Sequence, residues 1–172
     1  MSNGDVVILA RGLTKQFNKL TAVDSLDLTV RRGDVYGFLG LNGAGKTTTL
    51  RMLLGLVRSD SGSVELFGQP MKPGVTRPFE RVGAALETPG MYENLTVLAN
   101  LENRRKLLSL PRSASDEALE LMDLEQVADV PFRELSSGNR RRLSIASALL
   151  HQPELLILDE PTNALEIGRA HV

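Results

Sequence analysis

The stretch from Gly40 to Thr48, GLNGAGKTT, constrains this chain more than any other. It fits G-x-x-x-x-G-K-[ST], the spacing of a phosphate-binding loop set between a strand and a helix. Each residue type has a mechanical reason. Gly40, Gly43 and Gly45 let the backbone turn tightly and bring N–H groups close to phosphate oxygens, with Asn42 and Ala44 completing the loop. Lys46 carries a flexible ammonium to the β- and γ-phosphates. Thr47 offers a hydroxyl to Mg²⁺, and Thr48 offers a second one near the α-phosphate. A helix starting at Lys46 points its positive end at the same phosphates. The apolar run Val35 to Leu39, VYGFL, predicts a buried strand before the loop, and Thr49 to Val57 predicts a helix that closes near Arg58.

The rest of the composition removes alternatives. A chain of 172 residues with a net charge of −1 fits one domain with no basic field for nucleic acid or an anionic membrane. There is no cysteine, which excludes disulfides, thiolate catalysis and Cys-bound metal. The two histidines, His151 and His171, are too few for a histidine metal cluster. The N-terminal residues lack the pattern of a signal peptide, and no run approaches the roughly 18 apolar residues of a membrane span.

Along the chain, Val6 to Leu13 suits a strand, and Phe17 follows as one aromatic in a polar stretch read as a loop. Leu26, Leu28 and Val30 alternate with polar residues, the period of a half-buried strand, before a turn at Arg32-Gly33-Asp34. Beyond the loop helix, Ser59 to Gly62 reads as a turn and Ser63 to Phe67 as a strand stopped by Gly68-Gln69-Pro70. Residues 70–80 read as an irregular connection, and Val82 to Leu86 as a buried strand. From Leu95 to Leu124 the apolar spacing is helical, with Pro111 dividing two helices. Ser136 or Ser137 caps a further helix reaching about Leu150, and Arg140 to Arg142 read as its solvated face. LLIL (Leu155 to Leu158) predicts a buried strand beside the phosphate-loop strand, ending in Asp159 and Glu160.

Those two acids fit the loop's chemistry. Asp159 at a strand's carboxyl end holds Mg²⁺, usually through water. Glu160 is placed to orient the water that attacks the γ-phosphate. With the phosphate loop and LLILDEP, the pentapeptide LSSGN (Leu135 to Asn139) makes the chain resemble an ATP-binding cassette (ABC) ATPase, whose signature reads LSGGQ. The resemblance covers residues from about 5 to 165, in the right order and spacing.

The resemblance implies an α/β fold: a P-loop NTPase (RecA-like) core with an antiparallel β-subdomain and a helical subdomain. Residues 1–91 would form the β-subdomain and P-loop core, 92–135 the helical subdomain, and 136–165 the signature helix and the Mg²⁺-binding strand. It implies ATP and Mg²⁺ as cofactors. It also implies that the signature of one cassette closes head to tail over ATP held by another, through Ser136, Ser137, Gly138 and Asn139. Ser137 replaces the first glycine and Asn139 the glutamine; both are mild, and the β-carbon at 137 is expected to slow closure. Phe17 falls where the family stacks an aromatic on adenine, with a core phenylalanine as the plain alternative. Glu87 stands where a glutamine is usual, near Mg²⁺ or the attacking water, with a surface acid as the plain alternative. The run from Glu87 to Glu102 resembles the bacitracin- and lantibiotic-export branch, and its loop would meet a permease.

The expected function is therefore an ATP-hydrolysing subunit of an exporter, peripheral at the cytoplasmic face of the cell membrane and docked on a separate permease. It would insert no segment into the membrane and bind no nucleic acid. The rival readings are a soluble ABC ATPase acting on the ribosome and a binding-only fragment. The last seven residues, EIGRAHV (Glu166 to Val172), match the translation of a common sequencing-library adapter. The core is accordingly expected to lack the strands beyond LLILD, to keep an open apolar edge, and as written to hydrolyse no ATP.

Overall fold

The computed structural model describes residues 5–41, 43–71, 77–86 and 90–159. They divide into two compact units, Met1–Pro78 and Phe79–Val172.

In the first unit two long strands, β1 (Val6–Phe17) and β2 (Leu20–Arg31), form an antiparallel hairpin. It turns at Asn18, which takes a left-handed φ of 53°. β3 (Ser61–Leu66) and the short β4 (Gln69–Pro70) extend the sheet to the order β2-β1-β3-β4. The pairs Ile8↔Val30, Ala10↔Leu28, Ile8↔Leu66 and Ala10↔Val64 place buried side chains opposite one another. The alternating pattern in β2 is as read: Leu28 and Val30 are buried, and Asp27 and Thr29 are exposed.

Several boundaries move for local reasons. β1 runs on to Phe17, because a bulge at Gly12 lets the strand continue: Gly12 has φ 55° and donates its N–H to Asp27 Oδ1 at 2.7 Å. Gly62 belongs to β3, where a β-carbon would fall 2.4 Å from the Gly12 carbonyl oxygen. Gln69-Pro70 does not stop the chain; it pairs back on β3 through a turn at Phe67 and Gly68, both with positive φ.

The loop helix, α1 (Lys46–Leu53), packs on β1 and β2 and is shorter than the expected run to Arg58. Gly55 stops it at φ 66°. Its N–H donates to Met52 O at 3.0 Å, and Leu56 N donates to Arg51 O at 2.8 Å.

Val35–Leu39 is not the buried strand that its apolar pattern predicts. No ladder pairs with it among the described residues, and Val35 and Leu39 are 101% and 94% exposed. Apolar composition makes a run fit for a sheet interior, but only neighbours on its edges make it a strand.

The second unit holds a two-stranded parallel sheet, β5 (Val82–Ala85) with β6 (Leu155–Leu158). The ladder partner of β6 is thus β5, where the sequence suggested the run before the phosphate loop. Three helices follow β5: α2 (Val97–Leu107), α3 (Ser113–Leu121) and α4 (Ser137–Leu149). They bury Val97, Leu101, Leu119, Leu124, Phe132 and Leu143 in one core. Pro111 lies between α2 and α3 as expected, and the helices end in left-handed residues, Ser109 after α2 and Asp123 after α3. Glu102 ties the pair together: its carboxylate receives Arg105 at 2.8 and 2.9 Å and the Ser115 hydroxyl at 2.7 Å. The Arg105 guanidinium, then Ser115, hold the Glu102 carboxyl down to about 2.

Candidate functional site

The phosphate loop is built mostly from backbone. Gly43 and Gly45 both sit near φ 82–83°, a conformation that costs an L-residue about 1–2 kcal/mol. At Gly45 a second constraint acts. A β-carbon there would fall 2.1 Å from the Ala22 carbonyl oxygen, so β2 leaves no room for a side chain. Ala44 N donates to Leu41 O at 3.1 Å and closes the turn. Lys46 folds along its own loop, its ammonium donating to Gly40 O at 2.8 Å and Leu41 O at 3.0 Å. At the start of α1, Thr49 N donates to Gly45 O at 2.8 Å. Thr47 and Thr48 stand in the first turn, which holds no acid to offset the positive end of the helix. Asn42 lies outside the described residues.

Phe17 is the last residue of β1 and not part of a loop; the hairpin carries it to the sheet's end, where the residue is 46% exposed. Lys15 Nζ stands 5.3 Å from the ring centroid and is held at 2.9 Å by Asp60 Oδ1. Asp60 also accepts the Gln16 N–H at 2.7 Å, and that bond, then Lys15, lowers its pKa. The core-phenylalanine alternative is thereby set aside.

In the second unit, Asp159 follows β6 directly and is only 3% exposed; its N–H donates to Ala85 O at 3.1 Å. β6 is half-buried rather than the fully buried strand expected, with Ile157 alone of its residues buried, and it delivers one carboxylate at its carboxyl end. Glu160 and Glu87 lie outside the described residues. Ser136, and not Ser137, caps α4: its Oγ accepts the Asn139 N–H at 3.2 Å. Ser137 and Gly138 open the helix, and its first turn also holds no acid.

Sequence reasoning missed two residues. Arg141 was read as solvated with its neighbours, but its guanidinium reaches into the strand ends and bonds the carbonyls of Ala85 and Asp159. The signal was present, since Arg141 shares a helix face with buried Ile145 and Ala148. Asn100 is buried and organises the loop before α2. Its Oδ1 accepts Tyr92 N at 2.8 Å, and its Nδ2 donates to the carbonyls of Tyr92, Leu95 and Thr96.

The described residues thus hold a glycine-shaped loop with a lysine folded on it, a serine-capped helix that starts within LSSGN and a buried aspartate after an apolar strand. Residues 23–163 match the profile of the ABC transporter family. The chain belongs to that family. It is 46% identical over 161 residues to the bacitracin transport ATP-binding protein BcrA of Bacillus licheniformis, covering 93% of this chain and 53% of that one. It is 41% identical over 170 residues to the Nod factor export ATP-binding protein I of Ralstonia nicotianae, covering 96% and 53%. Among solved structures, CbiO1 of Clostridium perfringens, part of the ABC transporter complex CbiONQ, superposes with a TM-score of 0.79 at 27% identity, covering 94% of this chain and 68% of that one. The chain thus spans about half the length of the curated relatives it matches. The ABC membership and the P-loop α/β fold that the sequence implied both hold.

Proposed function

We propose that this chain carries the ATP-binding and hydrolysing machinery of an ABC exporter subunit, acting with a separate membrane permease. The observation that carries the reading is the loop from Gly40 to Thr48. Two left-handed glycines, a lysine anchored on the loop and an acid-free helix start form a cradle suited to a polyphosphate. Lys46, Thr47, Thr48 and the backbone of Gly40, Asn42, Gly43, Ala44 and Gly45 would hold the phosphates, and Phe17 the adenine.

The donor set also suits Mg²⁺, which keeps several waters and needs only one or two carboxylates beside the phosphates. Thr47, Asp159 and Glu87 would hold it, and it would neutralise charge developing on the phosphoryl oxygens. Glu160 would orient the attacking water, assisted by Glu87. In a head-to-tail pair of cassettes, Ser136, Ser137, Gly138 and Asn139 would bring a hydroxyl and a helix N-terminus to the γ-phosphate of the partner's ATP.

The exporter reading rests on the two relatives described above, which are named for bacitracin transport and Nod factor export. No helix among the described residues is long and apolar enough to cross a membrane, so attachment at its cytoplasmic face would run through the permease. The loop that Asn100 holds, with Tyr92 exposed, is a suitable permease contact. The test is Glu160→Gln in the full-length gene product. Turnover should fall by about a hundredfold or more, and ATP should trap a stable dimer seen by size-exclusion chromatography. Wild-type turnover in that variant would reject the role of Glu160.

A further inference from the structure

Arg140, Arg141 and Arg142 look alike in sequence and sit in three different settings. Arg140 donates to the Arg133 carbonyl at 2.5 Å and lies 5.2 Å from the Phe132 ring centroid. Arg142 stands 3.8 Å from Asp123 on the surface. Arg141 turns to the sheet. Its Nη2 donates to the Asp159 carbonyl oxygen and its Nη1 to the Ala85 carbonyl oxygen at 3.4 Å. Ala85 O also receives the Asp159 N–H. One guanidinium therefore joins the carboxyl ends of both parallel strands at the register Ala85↔Leu158.

The rest of α4 is fastened to the same strand. Gly83 approaches so closely that a β-carbon would lie 2.3 Å from the Ala148 carbonyl oxygen. His151 Nε2, just past the helix, lies 3.1 Å from Val82 O. Val82, Gly83 and Ala85 thus meet His151, Ala148 and Arg141 in reverse order, and α4 runs antiparallel to β5 as one packed piece. Arg141 is the contact nearest the end that begins at Ser136, and its face of the helix continues into Ile145 and Ala148. A planar fork suits two carbonyls at once, which a single ammonium does not. The cost is visible, since Arg141 Nε is buried with no hydrogen-bond partner among the described residues.

We propose that Arg141 is a positioning residue for hydrolysis. By holding the Asp159 carbonyl it fixes the backbone that aims the Asp159 carboxylate. By holding Ala85 O it ties the end of β5 to the same helix. The placement of the Asp159 carboxylate, proposed above to hold the metal, then depends on where α4 lies. This rests on the ATPase reading above.

The test uses the full-length gene product and Arg141→Ala. Calorimetry measures binding of a non-hydrolysable ATP analogue with chelator and across a Mg²⁺ titration, beside steady-state turnover. The Mg²⁺ concentration that half-maximally tightens binding should rise about tenfold, the size typical of lost support behind a metal ligand. Affinity in chelator should stay within about twofold, and kcat should fall about tenfold with KM for ATP little changed. Arg141→Lys, which keeps charge and stem but spans one carbonyl, should shift the Mg²⁺ midpoint about threefold, and it carries the test if the alanine variant does not fold. A wild-type Mg²⁺ midpoint in the folded variants, with kcat lost only in proportion to lost folded protein, overturns the proposal and leaves the ATPase reading intact. A wild-type protein whose nucleotide binding ignores Mg²⁺ overturns that reading, and this proposal with it.

Discussion

The two helices proposed to meet phosphate, α1 after Gly45 and α4 after Ser136, are entered by opposite means. Neither has an acid in its first turn, so both keep a positive end for an anion. α1 is entered through a left-handed glycine with no side-chain cap, and the absent β-carbon is needed twice, once for φ and once for the approach of Ala22 O. α4 is entered through an extended serine whose own hydroxyl caps the helix. The first is a backbone shape that glycine alone allows. The second is a cap that several residues make. A loop held by positive φ tolerates little change, whereas a loop held by a cap can drift while its helix stays in place.

The largest expected effect tests that contrast at α1. Gly45→Ala must adopt a left-handed conformation costing about 1–2 kcal/mol. It must also push back the β2 backbone, so chemical denaturation should show a loss of more than about 2 kcal/mol. A variant as stable as wild type would mean that β2 does not constrain the loop. At α4 the same experiment should be mild. Ser136→Ala should cost about 1 kcal/mol by denaturation and Ser136→Gly only a few tenths. Equal losses at Gly45 and Ser136 would erase the distinction.

The smallest effect lies in the helical packing around α4. Glu102 has its pKa lowered from 4.5 to about 2, chiefly by Arg105. A lowered folded-state value means that its stabilisation is present above pH 4.5 and is lost as pH falls from 4.5 toward 2. Thermal melts of Glu102→Gln should therefore lose less stability over that interval than wild type. Parallel curves would show that the pairing with Arg105 and Ser115 adds nothing to folding.

The contrast between the two loops also explains what was readable from the residues. The phosphate loop was plain because few residue types solve its geometry and the chemistry demands a lysine beside them. The Ser136 cap, the helices either side of Pro111 and the alternation in β2 follow local rules, and they came out as expected. Val35–Leu39 did not, because apolar content reports fitness for burial and says nothing about which neighbours are present. Phe17 was assigned to a loop because polar neighbours hid the strand that the Gly12 bulge extends. The end of α1 was available in Gly55, whose left-handed cap went unused beside an apolar run. Arg141 was misjudged because its charge class argued for solvent while its helix face argued for the core. Glu87 and Glu160 lie outside the described residues, so their roles stand on the resemblance and, for Glu160, on the variant that tests it.

The central claim is that the Gly40–Thr48 loop binds the phosphates of Mg-ATP, and Lys46→Ala in the full-length protein tests it most directly. Among the described residues Lys46 donates to carbonyls of its own loop, at 2.8 and 3.0 Å, so removing it should leave the fold intact by circular dichroism. Isothermal titration calorimetry should then show no measurable Mg-ATP binding, against clear saturation in the wild type. A folded Lys46→Ala protein that binds Mg-ATP with wild-type affinity would contradict the account.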